Sequence, residues 1–411
     1  MTYVVLAGAL DTKGDEYAFV KDLLFDAGLR PLLIDTGVRG TPGTPHDITR
    51  QEVARAAGHT LEEIAQLADR AAALAAMSDG LLGVVRSLQS AGDVHAAFGM
   101  GGSGALSLLA PAFRSLPLGT PKMIVTTMAS SDTRPYVRES DLLLMPSIVD
   151  IAGLNTLSRF TLERATAMLA AQLRHPARRD GGAPMVAASM FGVTTIGVSA
   201  ACRSLESKGL DVLVFHANGL GGRTLESLAG EGWLSGVLDL TTTELADDLL
   251  GGVAGAGPDR LTAAGRAGIP QVVSLGALDI VNFGGPEAIP DRYQGRRLYQ
   301  HNATATLMRT APDEAAVLGA VLGERLAAAR GPVTLLLPSG GLSALSEPGG
   351  PFFWPEADEA LEKAVLDRAG PDVAVRRSHA PVNSTAFGEQ AAALLLEHLS
   401  KVLSERIENT R

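Results

Sequence analysis

The segment VHAAFGMGGSG, residues 94–104, contains Gly99, Gly101 and Gly104 in the spacing Gly-x-Gly-x-x-Gly. The apolar residues before Gly99 predict a buried strand, and the run ALSLLAPAF after the glycines predicts a helix. A strand that turns through glycines into a helix exposes backbone N–H groups at the positive end of the helix dipole. The segment therefore predicts a phosphate site that includes Gly102 and Ser103, with a purely structural turn as the alternative.

Polar turns also follow the first two predicted strands, at the edge where parallel α/β sheets bind ligands. The first turn contains Asp11, Thr12 and Lys13. The lysine and the hydroxyl suit phosphate and the carboxylate suits a metal ion, whereas helix capping by Asp11 or Thr12 is the structural alternative. Asp35 ends the second strand, where an acidic side chain commonly accepts the hydroxyls of a ribose.

A hydroxyl-rich turn follows the strand predicted at 122–127. Its candidate ligands are Thr127, Ser131, Asp132 and Thr133. So many small polar groups suit a polyphosphate or Mg²⁺, and a network of Ser/Thr turns is the alternative. Asn155 follows in the segment IAGLN and is also placed to cap a helix predicted over 155–173.

In the second half, further candidates for binding an anion or moving protons come after predicted strands. The glycine-rich turn HANGLGGRTLE contains His216, Gly221, Gly222 and Arg223, and later turns contain His301, Arg309 and His379. We expect the histidines, Arg223 and Arg309 to bind a small anionic substrate and transfer protons. Structural histidines are the alternative.

Several patterns are absent from the sequence. It has no Gly-Lys-Ser/Thr, which argues against a Walker loop, and no His-Glu-x-x-His, which argues against that zinc motif. The strand after the glycine segment ends in Ile124-Val-Thr-Thr without a carboxylate, which argues against NAD bound in the ordinary manner. The stretch Gly101-Gly-Ser-Gly-Ala105 approximates a nucleophile elbow, so a Ser103-dependent hydrolase is an open alternative.

Composition narrows the class of protein. The 411 residues are 46% hydrophobic and 19% charged, which predicts a soluble globular chain of two domains. The net charge of −10 argues against nucleic acid or an anionic membrane as partner. The single cysteine, Cys202, excludes an internal disulfide and suits the cytoplasm. We find no run of the ~18 apolar residues that a membrane span needs.

Predicted strands and helices alternate in both halves, which indicates parallel sheets with helices on both faces. One long helix is predicted over 61–77. The Pro-, Gly- and Arg-rich stretch at 174–184 predicts a linker between domains at 1–178 and 184–411. Because this linker has only eleven residues, the ligand-facing edges of both domains are expected to share one cleft.

The turns also resemble, in their order, those of the Tm-1-like ATP-binding family over essentially the whole chain. They read GALDTKGDE, GMGGSGA, TTMASSDT, DIAGLN, FGVTT, HANGLGGRTLE, ALDIVNFGGPE, HNATATLMRT and PSGGLSAL. This resemblance implies two Rossmann-like subdomains, ATP with Mg²⁺ in the cleft between them, and a homodimer. The sequence departs from the family at Ser131, where glycine is more common, and at Ser384, where a carboxylate is common.

On this basis we expect Lys13, Ser103 and the N–H groups of 101–104 to hold the ATP phosphates, with Thr133 in support. Asp35 would bind the ribose and Asp132 the Mg²⁺. The sequence leaves open whether the chain is an enzyme. One hypothesis is ATP-dependent chemistry on a small organic or sugar acid. The alternative is a nucleotide-stabilised dimeric scaffold that acts with a TIM-barrel partner enzyme.

Overall fold

Strands and helices alternate along nearly the whole chain in the computed structural model, which describes residues 2–176 and 182–409. They form two compact units, Met1–Arg179 and Asp180–Arg411. The predicted linker at 174–184 falls partly outside the described residues, because 177–181 are not among them.

The N-terminal unit is built on one parallel five-stranded sheet in the order β2-β1-β3-β4-β5. Its elements are β1 (Tyr3–Gly8), α1 (Leu10–Asp26), β2 (Pro31–Asp35), α2 (Arg50–Ala56), α3 (Leu61–Ala65), α4 (Arg70–Ser90), β3 (Val94–Gly101), α5 (Ser103–Arg114), β4 (Lys122–Thr126), α6 (Arg134–Val137), β5 (Leu143–Pro146) and α7 (Thr156–Arg174).

Both faces of this sheet are covered, because successive side chains of a strand point to opposite sides. Val4 and Leu6 of β1 pack with α1 and α7, whereas Val5 and Ala7 pack with α2, α4 and α5. In this strand order β1 lies between β2 and β3, so the chain reverses direction across the sheet between β1 and β3. Doubly wound folds bind ligands in the crevice at such a switch point.

The helix predicted over 61–77 is wrong. The chain forms α3, breaks, and restarts at α4, because the Asp69 side chain accepts the N–H of Ala71 and caps a new helix. By length and composition alone, α4 could cross a membrane, which the sequence analysis missed. In the fold Met77, Leu81 and Val85 are buried in the core, and the Ser78 hydroxyl donates to the Leu108 carbonyl of α5. The helix is thus one layer of the unit.

The C-terminal unit contains a parallel six-stranded sheet in the order β14-β13-β9-β8-β6-β7. Its elements are β6 (Met185–Met190), α8 (Thr195–Glu206), β7 (Asp211–His216), α9 (Leu220–Gly230), β8 (Gly236–Asp239), α10 (Glu244–Leu250), α11 (Ala263–Ala267), β9 (Gln271–Ser274), β10 (Ile280–Phe283), β11 (Leu298–Asn302), β12 (Ala305–Arg309), α12 (Pro312–Ala327), β13 (Val333–Leu337), α13 (Pro355–Arg368), β14 (Ala374–Arg377) and α14 (Thr385–Asn409).

The predicted α/β class, with two Rossmann-like units and mostly parallel sheets, is confirmed. One part of the C-terminal unit differs from the prediction. Residues 280–309 hold a separate antiparallel sheet in the order β10-β12-β11. The segment HNATATLMRT, predicted as a polar turn after a strand, is instead most of the β11–β12 hairpin.

Candidate functional site

Tyr17 of α1 contacts both strands that flank the crevice between β1 and β3. The buried Tyr17 hydroxyl lies 2.7 Å from the Ala7 carbonyl oxygen of β1 and accepts the Met100 N–H of β3 at 2.9 Å. Gly8 makes room for this ring, because a Cβ at that position would overlap it. The two strands are thus fixed to each other directly beneath their carboxyl ends.

The glycine segment forms the turn predicted from its sequence. Strand β3 ends at Gly101, and α5 begins at Ser103 with Gly102 as its N-cap. Gly101 has φ +148°, and a side chain there would overlap the Cβ of Ala105. No side chain caps α5. The first N–H groups of this helix therefore have no capping acceptor, as an anion site requires.

Three polar side chains from three other elements surround this turn. Lys13 Cε lies 3.7 Å from the position that a Cβ on Gly101 would take, and Thr127 Oγ1 lies 3.7 Å from the same position on Gly102. Nη2 of Arg70, the first residue of α4, lies 3.9 Å from that position on Gly104. We call this set, Lys13, Arg70, Thr127 and residues 101–104, the glycine-loop site.

Lys13 reaches the turn because the backbone departs from helical geometry at this residue, with φ −135° and ψ 29°. Its ammonium group donates to the Ile151 carbonyl. Three residues further along α1, Glu16 accepts the Gly153 N–H at 2.7 Å. The segment between β5 and α7 is thereby held next to the glycine-loop site.

Asp35 and Asp11, predicted as ligand carboxylates, belong to a buried cluster around Arg50. Asp35 is fully buried and accepts hydrogen bonds from Arg50 Nε at 2.6 Å, Gly37 N at 2.9 Å and Leu10 N at 3.1 Å. Asp11 Oδ2 accepts the Arg39 N–H at 3.3 Å, and its Oδ1 is buried. Asp35 has no free oxygen for a ribose, and its role is to fix the chain after β2.

The remaining predicted ligands of this unit lie in turns and caps. Asp132 is exposed, and Arg134 donates to both its oxygens at 2.8 Å, which lowers the pKa of Asp132 to about 2. Ser131 donates to the Met128 carbonyl, and Asn155 caps α7. Other predicted ligands are in similar local positions: Thr12 donates to the Ala9 carbonyl, and Thr133 is the N-cap residue of α6.

Ser103 is exposed at the first position of α5. Within the described ranges, its hydroxyl makes no hydrogen bond to a histidine or a carboxylate. The geometry that activates a serine nucleophile is therefore not assembled there.

In the C-terminal unit, the turn with the cofactor-binding candidates Gly221 and Gly222 already binds a carboxylate of the protein. Glu244 is fully buried and accepts the N–H groups of Gly219 at 2.7 Å and Gly222 at 3.0 Å. Arg223 Nη1 donates to the Gly255 carbonyl at 3.1 Å. A carboxylate of the protein thus occupies the start of α9, where the sequence predicted that an external anion could bind.

Glu244 belongs to a charge cluster centred on Arg260, which is completely buried. Arg260 donates to Glu244 at 2.5 Å, to both oxygens of Asp239, and to Glu226 at 3.3 Å. Burial alone would lower the pKa of Arg260, but the Asp239 and Glu244 carboxylates raise it well above its ordinary value. This cluster ties together the ends of β8, α9 and α10.

The four predicted catalytic residues do not meet. His216 ends β7 and His379 follows β14, at opposite edges of a six-stranded sheet and therefore about 24 Å apart. His301 is exposed on β11 of the separate antiparallel sheet. Arg309 is buried and donates to Asp358 at 2.5 Å. Over residues 2–176 and 182–409, no three His, Cys, Asp or Glu side chains could share a metal ion.

Sequence reasoning missed Arg70. The helix predicted over 61–77 placed Arg70 inside a helix, away from any ligand edge. The signal that could have corrected this was Asp69, a good N-cap residue directly before an alanine-rich run. A helix that begins at residue 70 puts Arg70 at the carboxyl edge of the sheet.

Comparison with known proteins identifies the family. The two domains of the Uncharacterised protein family (UPF0261) match residues 2–178 and 183–399. The chain belongs to this family. A UPF0261 protein of Clostridium tetani is 42% identical over 400 residues, covering 97% of this chain and 99% of the relative. One from Mesorhizobium japonicum is 43% identical over 397 residues, covering 96% and 99%.

The predicted link to Tm-1 is confirmed as well. The ToMV resistance protein Tm-1(GCR237) of Solanum lycopersicum is 42% identical over 314 residues, which are 74% of this chain and 42% of that protein. Among solved structures, a C2-type ketoreductase from a modular polyketide synthase matches at 19% identity, over 98% of this chain and 88% of that one. The TM-score of this match is 0.22.

Proposed function

We propose that this chain binds the phosphate groups of ATP at the glycine-loop site. The observation that carries the proposal is that Lys13 and Arg70 approach the start of α5 from two other helices. The uncapped N–H groups of this start add partial positive charge near these two side chains. Two full charges and a helix terminus suit an anion that carries several charges better than a monoanion.

The contrast with α9 supports this choice. Both helices follow a strand through glycines, yet at α9 the Glu244 carboxylate accepts the first N–H groups. No side chain caps α5, and Arg70 is exposed with no ion pair inside the described part of the chain. The glycine-loop site therefore has positive charge that no acidic side chain of residues 2–176 and 182–409 pairs with.

The ribose and metal assignments change with the geometry. Asp35 is left out, because its oxygens accept three hydrogen bonds from the protein. Asp132 does not fit a Mg²⁺ ligand, because both its oxygens accept hydrogen bonds from Arg134. Mg²⁺ is commonly bound through substrate phosphates with few protein ligands, and we propose that it arrives with ATP. Binding, and not a reaction, is the function proposed.

The test is calorimetric titration of the full chain with ATP–Mg²⁺ and, separately, with inorganic tripolyphosphate, which has no base or ribose. Lys13→Ala and Arg70→Ala should each weaken both ligands about 10- to 100-fold, because each removes a charge-assisted contact. Lys208→Ala, in the C-terminal unit, and Arg86→Ala, on α4, are matched controls on exposed residues that do not belong to the glycine-loop site, and they should leave affinity unchanged. Equal affinities for Lys13→Ala, Arg70→Ala and the wild-type chain would refute the proposal.

A second candidate, a homodimeric scaffold, is favoured by one observation in the N-terminal unit. The edge strand β5 exposes Leu143, and Ile148 just after it is 72% exposed. Leu143, Ile148 and Met168 of α7 line one cavity of about 290 Å³. A second copy of the chain would cover this apolar surface. Sedimentation velocity should show a dimer that Ile148→Asp disrupts, and a wild-type monomer at all concentrations would exclude the scaffold.

A further inference from the structure

We infer that the C-terminal unit carries a second ligand site, a stacking platform for a nucleobase or a similar planar nitrogen heterocycle. The platform consists of the rings of Phe191 and His216. It lies at the carboxyl ends of β6 and β7, the edge where parallel α/β sheets bind ligands.

The two rings are brought together by strand register. Met190, the last residue of β6, pairs with His216, the last residue of β7, so Phe191 is the first residue beyond the sheet. The ring centroids of Phe191 and His216 are 5.1 Å apart, with 28° between the ring planes. This is a stacked arrangement, in which the imidazole lies over the phenyl ring.

Phe191 is the anchored member of the pair. Its N–H donates to Thr194 Oγ1 at 3.1 Å, and its carbonyl accepts the Thr194 N–H at 2.9 Å. Its side chain packs against a buried apolar cluster that contains Val193, Ile280 and Phe352. This packing fixes the position of the phenyl ring, and the stack on that ring fixes the position of the His216 imidazole.

His216 is the exposed member. Its ring makes no hydrogen bond or ion pair with any residue that the structure describes, so it is oriented by its stack on Phe191. Val214 lies on the same face of β7, two residues earlier, and is 46% exposed. Ile196 and Leu220, in the first turns of α8 and α9, are 55% and 46% exposed. These apolar groups lie in the segments around the platform and favour a flat ligand over a strongly hydrated one.

Charge at this edge selects the kind of group that stacks. The nearby start of α9 holds the Glu244 carboxylate, which excludes a phosphate from that helix terminus. A neutral ring is not repelled by the Glu244 carboxylate, and it is stabilised by stacking on the platform. Stacking on an aromatic side chain is possible for every base. The platform is formed by contacts within the C-terminal unit alone and is independent of the glycine-loop site.

The experiment is a titration of the full chain with adenosine, followed by calorimetry and by saturation transfer from protein to ligand protons. His216→Ala should weaken adenosine binding about 5- to 150-fold, the range for losing one base-stacking side chain. His216→Phe should retain binding, because it keeps a ring in place. Phe191→Leu should weaken binding while preserving the apolar packing behind it. His95→Ala, at an exposed histidine of the other unit, should have no effect.

Three results would overturn the inference. One is adenosine binding that His216→Ala leaves unchanged, and another is no adenosine binding at millimolar concentration. The third is tighter binding of N-acetyltryptophanamide than of adenosine, which would assign the platform to an aromatic side chain of a partner. Melting curves establish that each variant is folded. Tripolyphosphate, which has no ring, reports separately on the glycine-loop site, so each proposal can fail alone.

Discussion

Replacing Tyr17 with phenylalanine should destabilise the N-terminal unit beneath the glycine-loop site. The change removes one hydroxyl from a position with no exposed surface. That hydroxyl accepts the Met100 N–H at 2.9 Å and lies 2.7 Å from the Ala7 carbonyl oxygen, so it joins β3 to β1. Burial also raises the pKa of the Tyr17 hydroxyl, which keeps it protonated and able to donate.

The magnitude follows from the two backbone groups that lose this partner. An unsatisfied buried donor or acceptor costs about 1–3 kcal/mol, and phenylalanine keeps the ring packing intact. We therefore expect the free energy of unfolding of this unit to fall by about 2–6 kcal/mol. For a domain of this size, that corresponds to a decrease in Tm of about 4–24 °C.

The assay is differential scanning calorimetry of the full chain, with hydrogen exchange of the β1 and β3 amides to assign the transition. Tyr136→Phe is the matched control, because the Tyr136 hydroxyl makes no hydrogen bond in the described part of the chain. A Tm for Tyr17→Phe within 1 °C of the Tm of Tyr136→Phe corresponds to a stability difference of about 0.5 kcal/mol or less. This result would refute the claim that the Tyr17 hydroxyl stabilises the pairing of β1 with β3.

Three further predictions concern buried charge and backbone strain. Arg260→Met should lower the stability of the C-terminal unit by about 3–5 kcal/mol, because it leaves three carboxylates without their cation. Urea unfolding followed by tryptophan fluorescence measures this, and Arg266→Met, at an exposed pair, should change stability by less than about 1 kcal/mol. Burial raises the pKa of Asp247 from 3.8 to about 7, so the folded chain binds this proton more tightly than the unfolded chain. The free energy of unfolding should therefore fall as pH rises through that interval, and Asp247→Asn should flatten the fall in urea midpoints between about pH 5 and about pH 8. Gly101→Ala should lower Tm, because φ +148° disfavours a side chain, whereas Gly102→Ala, at φ −81°, should not. Equal Tm values for these two variants would contradict the argument from strain.

Much of the N-terminal unit could be predicted from the sequence. The strand–glycine–helix pattern at 94–114 specifies its own local structure, because glycine at 101 and an apolar helix after it leave few alternatives. Lys13 could be placed at the same edge of the sheet as the glycine turn. It follows the first predicted strand directly, and parallel strands end at the same edge. The position of Arg70 could not be predicted, because one helix boundary, set by Asp69, decides which end of a helix the residue occupies.

The C-terminal unit shows where local patterns fail. The predicted role of the histidines assumed that each follows a strand of one sheet near the same point. The strand order instead separates His216 from His379, and an antiparallel sheet removes His301 from that edge. Strand order depends on long-range pairing that no single segment encodes. A buried glutamate at the start of α9 could not be foreseen either, because Glu244 lies 22 residues from Gly222.

The sequence by itself determined the alternation of strands and helices, the parallel sheets and the glycine turn, because hydrophobic periodicity and the conformational freedom of glycine act over a few residues. The tertiary structure alone decided which polar groups stay available to a ligand. Asp35 and Glu244 resemble ligand groups in sequence, yet their oxygens are used within the fold, whereas Lys13 and Arg70 converge on an uncapped helix. A charge is free or paired according to neighbours that are distant along the chain, and folding brings those neighbours together.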